Sequence, residues 1–206
     1  QRISALMNKV ADDIQKESID RDNGKCSRVP TGFELLNRMT YGGFKGGNII
    51  IVAARPSVGK TAIMLQMART AAMNGIPATV YSLEMTGEEI AQRELFSAGV
   101  VTPKQLGCGN VEWGHIEKCI GIYEQWPLFL NDKIKTIDEI TTNIVLSHQR
   151  GQCDIAFIDY LGLIQSPNYK MPLYQVIAER TARLKRVAKD CDIPIVLLCQ
   201  LNRNSE

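Results

Sequence analysis

Ala54-Arg55-Pro56-Ser57-Val58-Gly59-Lys60-Thr61 follows directly on the apolar run Asn48–Ala53 and governs how the rest of the chain is read. The order is a buried strand, a tight turn and a helix that opens on Lys60 and Thr61. In such a turn the backbone N–H groups converge on phosphate oxygens, and the helix N-terminus adds the positive end of its dipole. A lysine at this point reaches β- and γ-phosphates, and a threonine hydroxyl beside it holds Mg²⁺. Ala54, Arg55, Ser57, Val58, Gly59, Lys60 and Thr61 are therefore candidate nucleotide contacts. The consensus loop opens on Gly where this one has Ala54. A methyl group is tolerated there if φ is negative, whereas Gly59 must stay bare where backbone meets phosphate. An ordinary strand-to-helix turn is the alternative. Ile63, Leu65, Met67 and Ala68 continue an apolar helical pattern, which favours the phosphate reading.

Composition sets the bounds. A chain of 206 residues, 45% hydrophobic and 22% charged, has the size of one large domain with an appendage and can bury a substantial core. A formal net charge of +2 neither demands nor excludes a polyanionic partner. The longest apolar stretches are strand-sized, so no membrane span is expected. Gln1-Arg2-Ile3-Ser4 lacks the apolar core of a signal peptide. The six cysteines (Cys26, Cys108, Cys119, Cys153, Cys191, Cys199) form no C-x-x-C pair. His115 and Cys119 share one expected helix face without a second ligand pair, so zinc is not expected. The expectation is a reduced, cytoplasmic protein.

Residues 4–16 read as an amphipathic helix with Leu6, Met7, Val10 and Ile14 on one face, followed by a polar connector, Glu17–Lys25. Four later helix starts carry a capping-box pattern: Thr31…Glu34, Thr86…Glu89, Thr102…Gln105 and Thr136…Glu139. Strands are expected at Asn48–Ala53, Ala78–Leu83, Leu128–Leu130, Asp154–Asp159 and Pro194–Cys199. Three of them hold near-continuous apolar runs, as expected when helices cover both sheet faces. Long helical crossovers between strands imply parallel pairing through right-handed βαβ units.

In an open parallel sheet, ligands bind at the C-terminal strand edges, so the residues leaving each strand belong together. After the phosphate loop comes Ser82-Leu83-Glu84-Met85, then Asp159-Tyr160, then Gln200-Leu201-Asn202-Arg203. An apolar strand ending in Asp159 fits a carboxylate acting on Mg²⁺. Glu84 suits a base that orients the attacking water. Gln200 donates and accepts, which suits sensing of a γ-phosphate. Each has a plainer reading: Asp159 as a strand-end cap, Glu84 as a helix-start carboxylate, Gln200 as a turn residue.

Taken in order, Ala53–Thr61, Ser82-Leu83-Glu84-Met85, Ile158-Asp159-Tyr160-Leu161 and Gln200-Leu201-Asn202-Arg203 resemble the motif series of DnaB-type replicative DNA helicases. Val29-Pro30-Thr31-Gly32-Phe33…Leu36-Asn37 resembles the start of that family's RecA-like ATPase domain. The resemblance runs from about residue 26 to the C-terminus. It implies an α/β fold, a RecA-like P-loop NTPase core with a mostly parallel sheet and helices on both faces, plus an N-terminal linker helix. Residues 1–25 would be linker helix and connector, and 26–206 the motor domain.

The implied activity is ATP hydrolysis coupled to 5′–3′ translocation on single-stranded DNA by a homohexamer, with ATP and Mg²⁺ bound between subunits and primase and a helicase loader as partners. Lys60, Glu84 and Gln200 carry over as catalytic residues, Thr61 and Asp159 as metal contacts, and Arg203 as a further nucleotide contact. The family pattern continues past the position of Glu206 with a DNA loop and an arginine finger, so a fragment truncated at its C-terminal end is expected. A finger is worth roughly 10³–10⁵ in rate, so this piece is expected to bind ATP·Mg²⁺ but turn it over poorly.

Three further readings stay open. Gln165–Pro172, with Tyr169 and Lys170, is either a DNA-contacting loop or a simple connector. The basic residues Arg180, Arg183, Lys185, Arg186 and Lys189 spread around the next helix, as on a solvated or subunit-facing surface. For the whole chain, a RecA-like recombinase and a nucleotide-dependent assembly or loading factor compete with the helicase.

Overall fold

In the computed structural model, which describes residues 2–22, 28–109, 111–159, 161–164 and 172–201, one sheet organises the chain. Its strands are β1 (Ile49–Ala54), β2 (Ala78–Ser82), β3 (Leu128–Asn131), β4 (Ile155–Asp159) and β5 (Ile195–Gln200). They lie in the order β1-β5-β4-β2-β3, and every neighbouring pair is parallel. Parallel neighbours need crossovers, and helices supply them. The helix α3 (Lys60–Met73) joins β1 to β2. Three helices, α4 (Gly87–Ser97), α5 (Pro103–Cys108) and α6 (Trp113–Tyr123), join β2 to β3. The last two crossovers are α7 (Ile137–Gln149) and α8 (Leu173–Cys191), the latter preceded by a 3₁₀ turn at Leu161–Leu163. Ahead of the sheet lie α1 (Ile3–Asp22) and α2 (Glu34–Met39).

Strand alternation divides the core into two layers. Val80, Ile155, Phe157, Val196 and Leu198 meet Met64, Leu65, Ala68 and Ala71 of α3 and Ile90 of α4 on one face. The intervening residues Tyr81, Ala156, Ile158, Ile195 and Leu197 meet Ile140 and Ile144 of α7 and Leu184 and Ala188 of α8 on the other. Each buried Leu or Ile contributes about 1.5–3 kcal/mol against exposure, so both layers stabilise the sheet between them.

Three capping boxes are present, at Thr86, Thr102 and Thr136, each with the reciprocal side-chain and backbone bonds. The expected box at Thr31…Glu34 is not. Phe33 is the N-cap of α2 and makes no side-chain cap bond. Thr31 is instead fully buried, and its hydroxyl donates to Asn37 Oδ1 at 2.7 Å while Thr31 N donates to the same oxygen at 2.8 Å. Asn37 competes for the threonine that a cap needs, and it wins through two bonds.

Two other expectations need correction. The first helix runs on to Asp22, because Glu17–Asp22 contains neither Gly nor Pro to stop it; the rest of the expected connector, 23–27, lies outside the described residues. β1, at the sheet edge, meets α3 on one face and α8 on the other, and leaves the Ile51 side chain largely open, at 60% exposure. Among the basic residues of α8, Arg180 is buried at 5% exposure rather than solvated, and Arg183 pairs with Asp138 of α7.

Candidate nucleotide site

Because all five strands run the same way, their C-terminal ends share one rim. Register puts Ala54 beside Gln200 and Ser82 beside Asp159. Leu83 N donates to Asp159 O at 2.8 Å, which extends the β2–β4 ladder to the edge of the turn holding Glu84. That turn is closed locally: Ser82 Oγ donates to Met85 O at 2.7 Å and accepts from Met85 N at 3.2 Å. On the other side, Leu201 N donates to Ala54 O at 3.1 Å, anchoring the chain just after Gln200.

The loop between β1 and α3 carries the backbone conformations a phosphate cradle requires. Gly59 has φ 99° and caps α3 in the left-handed region; an added Cβ there meets nothing within 4 Å and would stand in open space. Ser57 also has positive φ, 64°, an uncommon state for a residue with a side chain. Ala54 is an ordinary extended strand residue, so its methyl is accommodated.

Ala54, Arg55, Pro56, Ser57, Gly59, Lys60, Thr61, Glu84, Arg93 and Gln200 line a single cleft of about 460 Å³. That volume is ordinary for a small-ligand site. Behind it, Asp159 is 1% exposed. Thr61 Oγ1 donates to Asp159 Oδ2 at 2.6 Å, and Lys60 Nζ lies 3.1 Å from Oδ1. The ammonium meets Oδ1 as a charge, and this buried oxygen accepts no hydrogen bond among the described residues. A hydroxyl and a carboxylate whose Oδ1 has no hydrogen bond among the described residues make a hard oxygen-donor set, which fits Mg²⁺.

Of the candidate residues, the structure therefore brings Ala54, Arg55, Ser57, Gly59, Lys60, Thr61, Glu84 and Gln200 to one cleft and Asp159 to its floor. Val58 is 67% exposed and does not line the cleft. Arg203 lies outside the described residues, as do Tyr160, Tyr169 and Lys170. Arg93 lines the cleft and was not singled out from the sequence. The available signal was only its place on the helix that follows the Glu84 turn.

Residues 28–206 match the model of the DnaB-like helicase C-terminal domain family. The chain is 34% identical over 199 residues to the replicative DNA helicase DnaB of Helicobacter pylori, covering 94% of this chain and 41% of that protein. It is 33% identical over 212 residues to the replicative DNA helicase DnaC of Bacillus subtilis, covering 100% of this chain and 46% of that one. It thus spans less than half the length of these curated relatives. A solved DnaB-like replicative helicase, described with its interactions with primase, superposes with a TM-score of 0.82 at 28% identity, covering 98% of this chain and 49% of that chain.

Proposed function

Since the chain belongs to the DnaB-like helicase C-terminal domain family, we propose that it is the ATP-binding motor portion of a replicative DNA helicase. The observation that carries this reading is the convergence of Lys60, Thr61 and Asp159 beneath a cleft whose rim also holds Glu84 and Gln200. Backbone N–H groups of the Ser57–Thr61 loop and the start of α3 receive the phosphates, and Lys60 balances charge on the outer two. Thr61 and Asp159 would hold Mg²⁺, which would neutralise charge on the phosphate oxygens. Glu84 orients water at the terminal phosphate and takes its proton. Gln200, at the end of the strand between β1 and β4, senses that phosphate and passes its presence to the segment that follows. Arg203 is a further nucleotide contact in this reading.

In the whole protein this portion hydrolyses ATP and moves 5′–3′ on single-stranded DNA as a homohexamer. Residues 1–25 serve as linker and 26–206 as motor. Primase is a partner, supported by the solved relative described with its interactions with primase, and a helicase loader is another. The family placement does not favour the recombinase and loading-factor readings. Action is in the cytoplasm, where the DNA of its bacterial relatives lies. Among the described residues no helix is long and apolar enough to cross a membrane.

The test is calorimetric titration of this chain with ATP, with and without Mg²⁺. Saturable, Mg²⁺-dependent binding that disappears in Lys60→Ala is expected. Equal binding by wild type and Lys60→Ala would remove the phosphate loop from the mechanism.

A further inference from the structure

Two consecutive residues of α4 face very different surroundings. Arg93 is exposed, lines the nucleotide cleft and makes no ion pair or hydrogen bond with any described residue. Glu94 is 9% exposed, and one of its oxygens takes two donors: Arg69 Nη1 of α3 at 3.0 Å and Tyr123 OH of α6 at 2.5 Å. Arg69 also donates to Ser97 Oγ at 3.2 Å and to Gln66. Tyr123 is braced in turn by Trp126, their ring centroids 4.6 Å apart. At the other end of α4, Gly87 N donates to Asp132 Oδ2 at 2.8 Å beside the Thr86–Glu89 capping box. The helix is thus pinned at its start to the end of β3, and immediately behind Arg93 to α3, the helix that begins with Lys60.

We propose that Glu94 is a positioning residue, clamped by Arg69 and Tyr123 so that α4 presents Arg93 to the outer phosphates of the nucleotide. The inference rests on the nucleotide reading above. Arg93 belongs to the helix that follows β2 and the Glu84 turn, three strands away from β1, which assigns it to the terminal end of a triphosphate bound in the loop. A guanidinium without a counter-charge at a phosphate cleft supplies charge-assisted, two-pronged hydrogen bonding. Such a contact works only if its backbone is fixed, because an arginine side chain is itself costly to order. The buried cluster provides that fixity without reaching the ligand.

Positioning and simple electrostatics predict opposite signs. Glu94→Gln removes a negative charge near a polyanion site, which by charge alone tightens ATP binding. If Glu94 acts by holding α4, the same substitution weakens it.

The experiment measures MgATP and MgADP dissociation constants of the full chain for wild type, Arg93→Ala, Glu94→Gln, Tyr123→Phe, Arg93→Ala/Glu94→Gln and Lys60→Ala, with thermal midpoints recorded alongside. Arg93→Ala is expected to weaken MgATP about tenfold and MgADP less. Glu94→Gln should weaken MgATP about threefold, and the double variant should bind no worse than Arg93→Ala alone, because the second change acts through the first. Tyr123→Phe, which keeps the Arg69–Glu94 pair and stays folded if Glu94→Gln does not, should show a smaller loss of the same pattern. Unchanged or tighter MgATP binding in Glu94→Gln and Tyr123→Phe overturns the proposal, as do additive losses in the double variant. A wild type that binds no MgATP, or a Lys60→Ala chain that binds it normally, removes the nucleotide reading itself and this inference with it.

Discussion

Thr61 Oγ1 and Asp159 Oδ2 are joined at 2.6 Å across a sequence separation of 98 residues. The first opens α3 and the second closes β4, which are brought together only because β5 fills the sheet between β1 and β4. Asp159→Asn keeps the shape and one acceptor but loses the charge. MgATP affinity is expected to fall about tenfold or more, to the level seen with EDTA. Titrations with and without chelator check this; a variant still strengthened by Mg²⁺ as wild type is would move the metal elsewhere.

Glu84→Gln should separate binding from chemistry. The side chain lies in a turn fixed by Ser82 and Met85, so the amide occupies the same place. MgATP binding is expected within about threefold of wild type, while turnover in the longer protein falls by roughly 10²–10⁴, the usual worth of a general base. Single-turnover hydrolysis reads the second quantity; undiminished turnover would reassign the base.

Gly43 is a structural glycine. Its φ is 136°, and an added Cβ would stand 2.1 Å from Val29 O. That carbonyl accepts from Phe44 N at 2.8 Å in the bridge that fastens the segment before α2 to the domain. Gly43→Ala combines backbone strain with a backbone clash, so a loss of about 2–4 kcal/mol is expected, lowering the thermal midpoint by roughly 4–16 °C. A midpoint within a degree of wild type would contradict the clash.

Alkaline pH should destabilise the fold through groups that it buries. Burial pushes the Cys153 thiol up to about 12. Burial, followed by the bond to Glu94, pushes Tyr123 up to about 12. Both groups hold their protons more tightly folded than unfolded. Their stabilising effect is complete below pH 9 and is lost as pH rises from there to about 12, with a slope approaching 1.4 kcal/mol per pH unit for Cys153 and a smaller one for the partly solvated Tyr123. Thermal midpoints between pH 8 and 11.5 should fall, less steeply in Cys153→Ala; identical slopes would exclude Cys153 as a contributor.

Much of this was legible in the sequence because the relevant signals are local. Thr86, Thr102 and Thr136 announce their helices within four residues, and nothing nearby competes for their hydroxyls. Strand ends were legible from apolar runs, and a parallel sheet then sends Lys60, Glu84, Asp159 and Gln200 to one rim by geometry alone. What sequence reading missed depends on tertiary surroundings. Thr31 surrendered its cap to Asn37. Arg93 has no motif and gains meaning only from the cleft beside it. Arg180 looks like any other helix cation until the fold buries it.

Strand β1 has a hydrogen-bonded neighbour on one side only among the described residues, and Ile51 stands out from it into solvent. Its outer row of amide and carbonyl groups is a template for any extended backbone that comes near. Handled alone at high concentration, the chain is therefore prone to self-association edge to edge. A lysine in place of Ile51 is the simplest remedy for keeping it monodisperse.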